Sequence, residues 1–162
     1  MRTSAVFLAA SMAAALFSLN SAAADRPLRF MSLRAAGVEG RQGPGSDQRV
    51  LWIYQHPRLP VQIIGERNDW MHVRDPDGAD VWMRADTLEP RRTIYVRAET
   101  ALRKSPRAGG QPIAYLAPGV IASITACDGE WRRVAVGGRV GWVENNAIWG
   151  GDCAGLASAI RP

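Results

Sequence analysis

The chain has 162 residues, of which 47% are hydrophobic and 22% charged, so it is long enough for one ordinary domain or two small ones and too apolar for wholesale disorder. Sixteen glycines and ten prolines favour short strands and many turns over long helices. Two cysteines exclude a disulfide-rich scaffold and a four-cysteine zinc site, and two histidines leave little for a histidine-based metal centre. We therefore expect no metal and no cofactor.

The net charge of +5 comes almost entirely from arginine, which outnumbers lysine 19 to 1. Such a bias is compatible with nucleic-acid binding, because guanidinium groups bind phosphate well. The arginines are nevertheless spread along the chain among 15 acidic residues, with no basic block beyond pairs such as Arg91-Arg92. This distribution argues against a nucleic-acid partner and favours a mild attraction to anionic cell-wall polymers or lipid headgroups.

The N-terminal segment is typical of an export signal. Arg2 precedes an apolar run from Ala5 to Leu19, and the small residues Ala22-Ala23-Ala24 follow it. A cation, an apolar run and an Ala-x-Ala end are the three parts of a cleavable secretory signal. A membrane anchor is the alternative, but the run is short for a hydrocarbon layer about 30 Å thick. We predict a signal peptide over residues 1–24, cleavage after Ala24, and a periplasmic or secreted protein with no integral membrane segment.

The rest of the chain repeats itself with a period of about 60 residues. Three ordered anchors recur at a spacing of 60 or 61 residues: Trp70 with Trp131, Val73 with Val134, and Trp82 with Trp142. Three ordered matches at one spacing are hard to obtain by chance, and such a period marks a repeated structural unit. We therefore predict two copies of one unit, residues 25–92 and 93–150, and a C-terminal tail over residues 151–162.

Within each copy, alternating apolar residues and turn-forming pairs indicate short antiparallel strands. The pair Gly137-Gly138 between Val136 and Val140 predicts a tight hairpin. Five or six short strands cannot hide both faces as a flat sheet, but they can close into a small barrel that also removes exposed edges. The predicted fold class is all-β, with two tandem small barrels after the signal peptide.

The two copies share the pattern Arg-x-Gly-Pro, Pro/Gly-Val, Trp-x-x-Val and Gly-Trp-Val. It is carried by Arg41, Gly43-Pro44-Gly45, Val61, Trp70, Val73 and Val81-Trp82-Met83, and again by Arg103, Pro106, Gly119-Val120, Trp131, Val134 and Gly141-Trp142-Val143. The pattern resembles the bacterial SH3-like (SH3b) domain over about residues 28–150. As a tandem exported pair, the chain is similar to the SH3-like proteins of Gram-negative bacteria.

The first copy departs from this family pattern at three positions. Gly40 stands where the family usually has a leucine before the arginine. Met83 replaces the valine of Gly-Trp-Val, and Asp80 its glycine. We therefore expect the first copy to pack less regularly at these positions.

Six tryptophans are many for a chain of this size. The simplest interpretation is that they fill barrels too small for an aliphatic core, because one indole buries about 150–250 Å². On this argument we expect Trp82 and Trp142 to lie in the two cores.

Four other aromatic residues are the candidate ligand-binding residues. Trp70 and Trp131 each begin a strand after an acidic turn, and Tyr54 and Tyr115 lie at a strand edge beside a loop. At the start of a strand the rings of Trp70 and Trp131 can sit half exposed, and an aromatic shelf with a polar rim suits peptides and sugars. The family resemblance implies a groove of this kind, used for cell-wall peptides or proline-containing segments.

Cys127 and Cys153 are the only cysteines, so one disulfide is possible, and export to an oxidising compartment favours it. It would pin the tail onto the second copy. The alternative is that Asp152-Cys153-Ala154-Gly155 derives from a cell-wall cysteine peptidase, whose nucleophile resembles it with Asp-Cys-Ser-Gly. That nucleophile needs a downstream histidine base, and no histidine follows Cys153, so only a remnant of a peptidase is conceivable.

Metal binding has little support in the pattern of possible ligands. His72 lies between Met71 and Val73 on a predicted strand, where a packed or solvent-facing imidazole is more common than a ligand. The segment Asp75 to Asp80 resembles a calcium loop but lacks its distal glutamate, so an acidic hairpin turn is the better interpretation.

The leading hypothesis is a non-enzymatic exported binding module that docks peptidoglycan peptides or a segment of a periplasmic partner protein through aromatic grooves. The second hypothesis is a structural or interaction protein whose two barrels pack on each other and bind no small ligand. A remnant of a cell-wall cysteine peptidase is a remote third.

Overall fold

Strands make up most of the computed structural model, which describes residues 29–151 and Cys153. The predicted signal peptide and most of the predicted tail lie outside the described residues. Within them there is no α-helix, and no helix of this part of the chain is long and apolar enough to cross a membrane. The described chain is all-β, as the sequence predicts.

Fourteen strands form two consecutive sets of seven. The first set is β1 (Arg29–Leu33), β2 (Val38–Arg41), β3 (Val50–Tyr54), β4 (Pro60–Arg67), β5 (Trp70–Arg74), β6 (Asp80–Arg84) and β7 (Leu88–Glu89). The second set is β8 (Thr93–Val96), β9 (Thr100–Arg103), β10 (Pro112–Leu116), β11 (Ile121–Asp128), β12 (Trp131–Val136), β13 (Arg139–Glu144) and β14 (Ile148–Gly150). One turn of 3-10 helix precedes the last strand of each set: Ala85–Thr87 and Asn145–Ala147. We call residues 29–89 the first barrel and residues 93–150 the second barrel.

The two sheets have the same topology. The order is β3-β2-β6-β5-β4-β1-β7 in the first barrel and β10-β9-β13-β12-β11-β8-β14 in the second, with the described neighbours antiparallel. The longest strands, β4 and β11, carry register shifts at equivalent places, between Ile63 and Gly65 and between Ile124 and Ala126. A bulge bends and twists its strand, so these shifts help each sheet to curl around its own core. The predicted duplication is confirmed down to this local irregularity.

The hairpin predicted at Gly137-Gly138 joins β12 to β13, with Val136 paired to Arg139. Both glycines have positive φ, at 55° and 74°. A two-residue hairpin turn of this kind needs left-handed backbone at both central positions, which glycine adopts without steric cost.

Trp82 does not lie in the core of the first barrel, and the prediction that it does is wrong. Side chains alternate between the two faces of a strand. In β6, Val81 and Met83 point inward and are 1% and 0% exposed, so Trp82 between them must point outward. There it stacks on His72, with ring centroids 4.7 Å apart and planes 6° apart.

The same alternation excludes Trp142 from the core of the second barrel. Its neighbours Gly141 and Val143 point inward, and Trp142 is only partly buried on the outer face. Both cores are therefore built mainly from aliphatic side chains. The fully buried ones with the largest volumes are Leu33, Met83, Leu88, Ile94, Leu102 and Val61.

Two cross-strand pairs show how the barrels superimpose. In the first barrel β2 meets β6 at Arg41 and Trp82, and in the second β9 meets β13 at Arg103 and Trp142. Gly40, before Arg41, is therefore equivalent to Leu102, before Arg103. In the same way Val81, before Trp82, is equivalent to Gly141, before Trp142. The position of the glycine in Gly-Trp-Val is held by Val81 in the first barrel, not by the preceding aspartate as predicted.

A large and a small residue have exchanged places between the barrels. In the second barrel Leu102 fills the space above Gly141, where an added Cβ would lie 2.8 Å from the leucine Cγ. In the first barrel Val81 is the large residue and Gly40 the small one, with 2.9 Å between a Cβ at position 40 and the valine Cγ2. The expected irregular packing is thus compensated, since each barrel keeps one large side chain at this contact.

This exchange predicts that the effects of the two substitutions on stability are not additive. Gly40→Leu overpacks the contact and Val81→Gly empties it, so each should lower the free energy of unfolding by about 1–3 kcal/mol. The double variant should lose less free energy of unfolding than the two single variants lose together, by about 1 kcal/mol or more. Recovery should be incomplete, because Tyr54 also lies 2.8 Å from a Cβ at position 40. Urea denaturation of the four proteins measures the coupling, and strict additivity would contradict the exchange.

The two barrels pack directly against each other. Tyr95 and Ile121 of the second barrel lie against the core of the first. The buried hydroxyl groups of Ser32 and Thr93 are 2.7 Å apart across the junction. Buried polar contacts of this kind fix a single relative arrangement, because an unpaired hydroxyl would be costly.

Arg97 connects the barrels at a second place. Its Nη2 donates to the carbonyl oxygen of Pro76 in the first barrel at 2.9 Å. Its guanidinium also lies 4.3 Å from the ring centroid of Trp149, and the ring of Phe30 packs edge-to-face with the same indole, with the ring centroids 5.3 Å apart. Cation–π and edge-to-face contacts of this kind add to the apolar packing.

Cys127 on β11 and Cys153 form the predicted disulfide, with Cα atoms 6.1 Å apart. Arg132 supports the same connection, since its Nε donates to the carbonyl oxygen of Gly151 at 2.7 Å. The cross-link closes a loop that contains β12, β13 and β14, so it constrains most of the second barrel.

We predict that reduction destabilises the protein. Loss of a loop of 26 residues should cost about 3–4 kcal/mol in the chain-entropy model. Denaturant unfolding with and without a reductant measures this, and the Cys127→Ser/Cys153→Ser variant is the control because it should not respond to the reductant. An equal loss of stability in that variant on adding reductant would contradict the assignment.

Candidate functional site

A groove with a cavity of about 470 Å³ lies on the first barrel beside Trp70. It is bounded by the turn between β1 and β2, by the loop after β2, and by the 3-10 turn Ala85–Thr87. We call it the Trp70 groove. Its main lining residues are Arg34, Gly37, Glu39, Trp70, Arg84 and Asp86.

Trp70 forms the floor of this groove. It follows a tight turn at Asn68, whose φ of 51° is one that asparagine tolerates, and it is the first residue of β5. Only 9% of Trp70 is exposed, so the expectation of a half-exposed ring is wrong for this residue, and it lies outside the two clusters of packed aliphatic side chains. Its direct partner on β6 is Arg84, whose guanidinium lies 5.8 Å from the ring centroid. The Arg84 guanidinium thus lies next to the indole, opposite it on the neighbouring strand.

The 3-10 turn fixes the wall of the groove next to Arg84. Thr87 donates its hydroxyl proton to the carbonyl oxygen of Arg84 at 2.6 Å. The backbone N–H of Ala85 donates to the carbonyl oxygen of Asp69 at 2.8 Å. These two bonds hold the backbone of the turn against the start of β5 and leave the Arg84 side chain free to change partners.

Arginine side chains dominate the rim, and two of them brace the loops. Arg34 donates from Nε and Nη2 to the carbonyl oxygens of Asp86 and Leu88 at 3.1 and 3.0 Å. Arg41 donates to the loop carbonyl of Ser46 at 2.9 Å and pairs with Glu39. The rim therefore carries charges of both signs around an aromatic floor.

Tyr54 lies away from the Trp70 groove, beside a separate cavity of about 320 Å³ that Tyr95 also lines. Its hydroxyl donates to Oδ2 of Asp75 at 2.8 Å. Asp75 is 6% exposed and also accepts from the backbone N–H groups of Asp77 and Ala79. Asp75, which begins the segment that resembles a calcium loop, therefore accepts hydrogen bonds from its own turn.

The other two candidates lie on the second barrel, and neither lines these two cavities. Tyr115 is 67% exposed on the edge strand β10. Trp131 is partly buried and pairs across the sheet with Glu144. Of the four predicted aromatic residues, Trp70 and Tyr54 thus line separate cavities of the first barrel, and Tyr115 and Trp131 line neither. Their roles in ligand binding stay predictions.

The candidate site also contains residues that sequence reasoning missed, above all Arg34 and Arg84. A signal for Arg84 was present, because the turn Asp75-Pro76-Asp77-Gly78 centres the β5–β6 hairpin near residue 77. An antiparallel hairpin centred there places residue 84 opposite Trp70. No comparable local signal marks Arg34, since its approach depends on how the β1–β2 turn folds over the barrel.

The partly buried phenol of Tyr54 predicts a dependence of stability on alkaline pH. Burial and then the hydrogen bond to Asp75 raise the pKa of Tyr54 above its ordinary value. A raised pKa in the folded state means that stability is intact below about pH 10, where unfolded tyrosine titrates, and falls as the pH rises further.

Tyr54→Phe should therefore flatten the loss of stability between about pH 9 and 11, because the substituted ring has no proton to lose. The same change should cost about 1 kcal/mol at neutral pH through the lost hydrogen bond to Asp75. Urea denaturation over this pH range measures both effects. Equal pH dependence in the two proteins would contradict the assignment.

Comparison with known proteins identifies the fold family. A family model described as the bacterial SH3 domain matches residues 35–90 and again residues 96–150. A search of the curated proteins found no match. Together the two matched regions cover more than half of the chain.

Two solved structures are similar to the chain at low identity. NlpC2 from Trichomonas vaginalis is 21% identical, with a TM-score of 0.35 over 75% of this chain and 48% of its own. NlpC1 from the same organism is 21% identical, with a TM-score of 0.34 over 85% of this chain and 50% of its own. The chain thus spans about half the length of each. By its two family matches, the chain belongs to the bacterial SH3 domain family and contains that domain as a tandem pair.

Proposed function

We propose that this protein is an exported, non-enzymatic module that docks a peptidoglycan peptide in the Trp70 groove of the first barrel. The observation that carries the proposal is the position of Trp70, a buried indole that lies outside the two clusters of packed aliphatic side chains and lines a cavity. Its burial holds the ring in one position, and rigid flat rings bind with little loss of conformational entropy.

The size and charge of the groove suit a short peptide. A cavity of about 470 Å³ falls within the range of small-molecule sites and admits a few residues of an extended chain. Guanidinium groups and the carboxylates of Glu39 and Asp86 share the rim. Stem peptides of the cell wall carry both carboxylates and amines, so a rim of mixed sign complements them.

The state of Cys153 supports a non-enzymatic role. A cysteine peptidase attacks with a thiolate, and a sulfur held in a disulfide has no thiol to ionise. Cys153 is bonded to Cys127. Cys153 therefore serves to fasten the chain to β11.

The packing between the barrels favours a second candidate, a structural protein with no small ligand. The Arg97–Pro76 hydrogen bond, the Phe30–Trp149 contact and the Ser32–Thr93 pair make a built interface. Such an interface would be expected whether or not the Trp70 groove is used, so an experiment must distinguish the two.

Retention on purified sacculi tests the proposed function. Wild-type protein should be retained at low salt, and Trp70→Ala should weaken retention roughly 30-fold or more, as expected when an aromatic anchor is removed. Trp52→Ala is the matched control, because Trp52 is 58% exposed on β3 and does not line the groove. Trp70→Phe keeps an aromatic floor and should retain most of the binding.

Circular dichroism and thermal denaturation must show that each variant is folded. Absence of wild-type retention would favour the structural alternative. Equal retention of folded Trp70→Ala and wild type would overturn the assignment of the groove.

A further inference from the structure

We propose that the Trp70 groove recognises a peptide carboxylate through Arg84 and Arg34, and that the equivalent surface of the second barrel does not. This inference rests on the proposed function and names the chemical group that the groove selects. It would make the two barrels unequal partners in binding despite their common fold.

Arg84 is held loosely, in contrast to another arginine of the same hairpin. Arg74 binds Asp80 through two hydrogen bonds of 2.7 Å each. Arg84 meets Asp86 at 3.3 and 3.5 Å, longer than the 2.7–2.9 Å usual between charged partners. Both members of this pair are well exposed, with side-chain exposures of 49% and 67%. An incoming carboxylate can therefore replace a weak partner without breaking a strong one.

Arg34 contributes a charge that no carboxylate neutralises among the described residues. Its two donated hydrogen bonds end on the neutral carbonyl oxygens of Asp86 and Leu88. These bonds fix the guanidinium at the rim but leave its positive charge uncompensated. With Arg41 already paired to Glu39, the groove has a cationic excess on the side of Arg34 and Arg84.

The second barrel has the opposite charge next to its tryptophan. Trp131 pairs across the sheet with Glu144, in the same register in which Trp70 pairs with Arg84. The counterpart of Arg34 is Arg97, whose guanidinium is directed to the junction between the barrels. A carboxylate ligand would therefore meet an anion where the first barrel offers a cation.

The geometry of the groove selects a carboxylate that is attached to a peptide. Guanidinium binds a carboxylate through parallel hydrogen bonds, and the exposed Ala35 and Ala36, with the small exposed part of Trp70, offer an apolar surface to the adjoining side chain. A bare anion would use only the first of these contacts. The inferred ligand is thus a short peptide ending in a free carboxylate next to a small apolar side chain.

Titration of the protein with two model peptides tests this inference. The probes are N-acetyl-trialanine with a free C-terminal carboxylate and the same peptide as its C-terminal amide, followed by the indole N–H signal of Trp70 in NMR spectra. The acid should bind at least 10-fold more tightly than the amide. Inorganic phosphate is a third probe, and displacement of the acid by phosphate at equal concentration would show a bare anion site and overturn the proposal.

Substitutions that change one charge show which residue binds the peptide carboxylate. Arg84→Glu, which copies the second barrel, should weaken binding of the acid at least 10-fold and bring acid and amide close to parity. Arg84→Lys should bind with intermediate affinity, since it keeps the charge but loses the paired hydrogen bonds. Arg107→Glu is the matched control, because Arg107 is exposed in a loop of the second barrel and should leave binding unchanged. Equal weakening by Arg107→Glu, or equal wild-type affinity for acid and amide, would overturn the inference.

Sacculus retention distinguishes failure of this inference from failure of the proposed function. If Trp70→Ala loses retention and Arg84→Glu keeps it, the groove binds the wall by contacts other than a carboxylate, and only the inference fails. If both variants are retained like wild type, the proposed function fails as well. Loss of retention in both, with Arg107→Glu unaffected, supports both.

Discussion

The alternation of side chains along β5, β6, β12 and β13 is the constraint on which the rest of the structure depends. Aliphatic residues occupy the inward positions, so the indoles between them must face outward. On these strands Trp82 stacks on His72 and Trp70 lies next to Arg84, and on β14 Trp149 contacts Arg97 and Phe30. The cores are therefore aliphatic, while the aromatic side chains are left to build a stack, an interface and a groove.

Duplication has preserved the fold more closely than the surface. The strand order and the bulges agree between the barrels, and the core contact is preserved by exchange of a large and a small residue. Outside the core, the position next to the first tryptophan of the hairpin is Arg84 in one barrel and Glu144 in the other. The arginine after the first strand serves the groove as Arg34 but the junction as Arg97. Two copies of a fold have thus become one binding surface and one supporting partner in the proposed function.

Features set by local sequence were predictable, and features set by register or by distant packing were not. The repeat, the Gly137-Gly138 hairpin and the cysteine pair could be predicted, because spacing, turn chemistry and a single possible pairing determine them. The placement of Trp82 was missed because the argument from side-chain volume did not consider that successive residues of a strand face opposite sides. The cation over Trp70 was missed because it depends on the register of the β5–β6 hairpin, and Arg34 because a turn brings it from another part of the barrel.

The central claim is that ligand binding belongs to the Trp70 groove and not to the equivalent surface around Trp131. The most direct measurement is an NMR titration of the protein with purified muropeptides, following the indole N–H signals of the six tryptophans. Assignment of these signals by single tryptophan-to-phenylalanine variants makes the result specific to each ring. We predict that the Trp70 signal shifts with saturation while that of Trp131 stays in place. Saturating shifts at Trp131 with none at Trp70 would contradict the account.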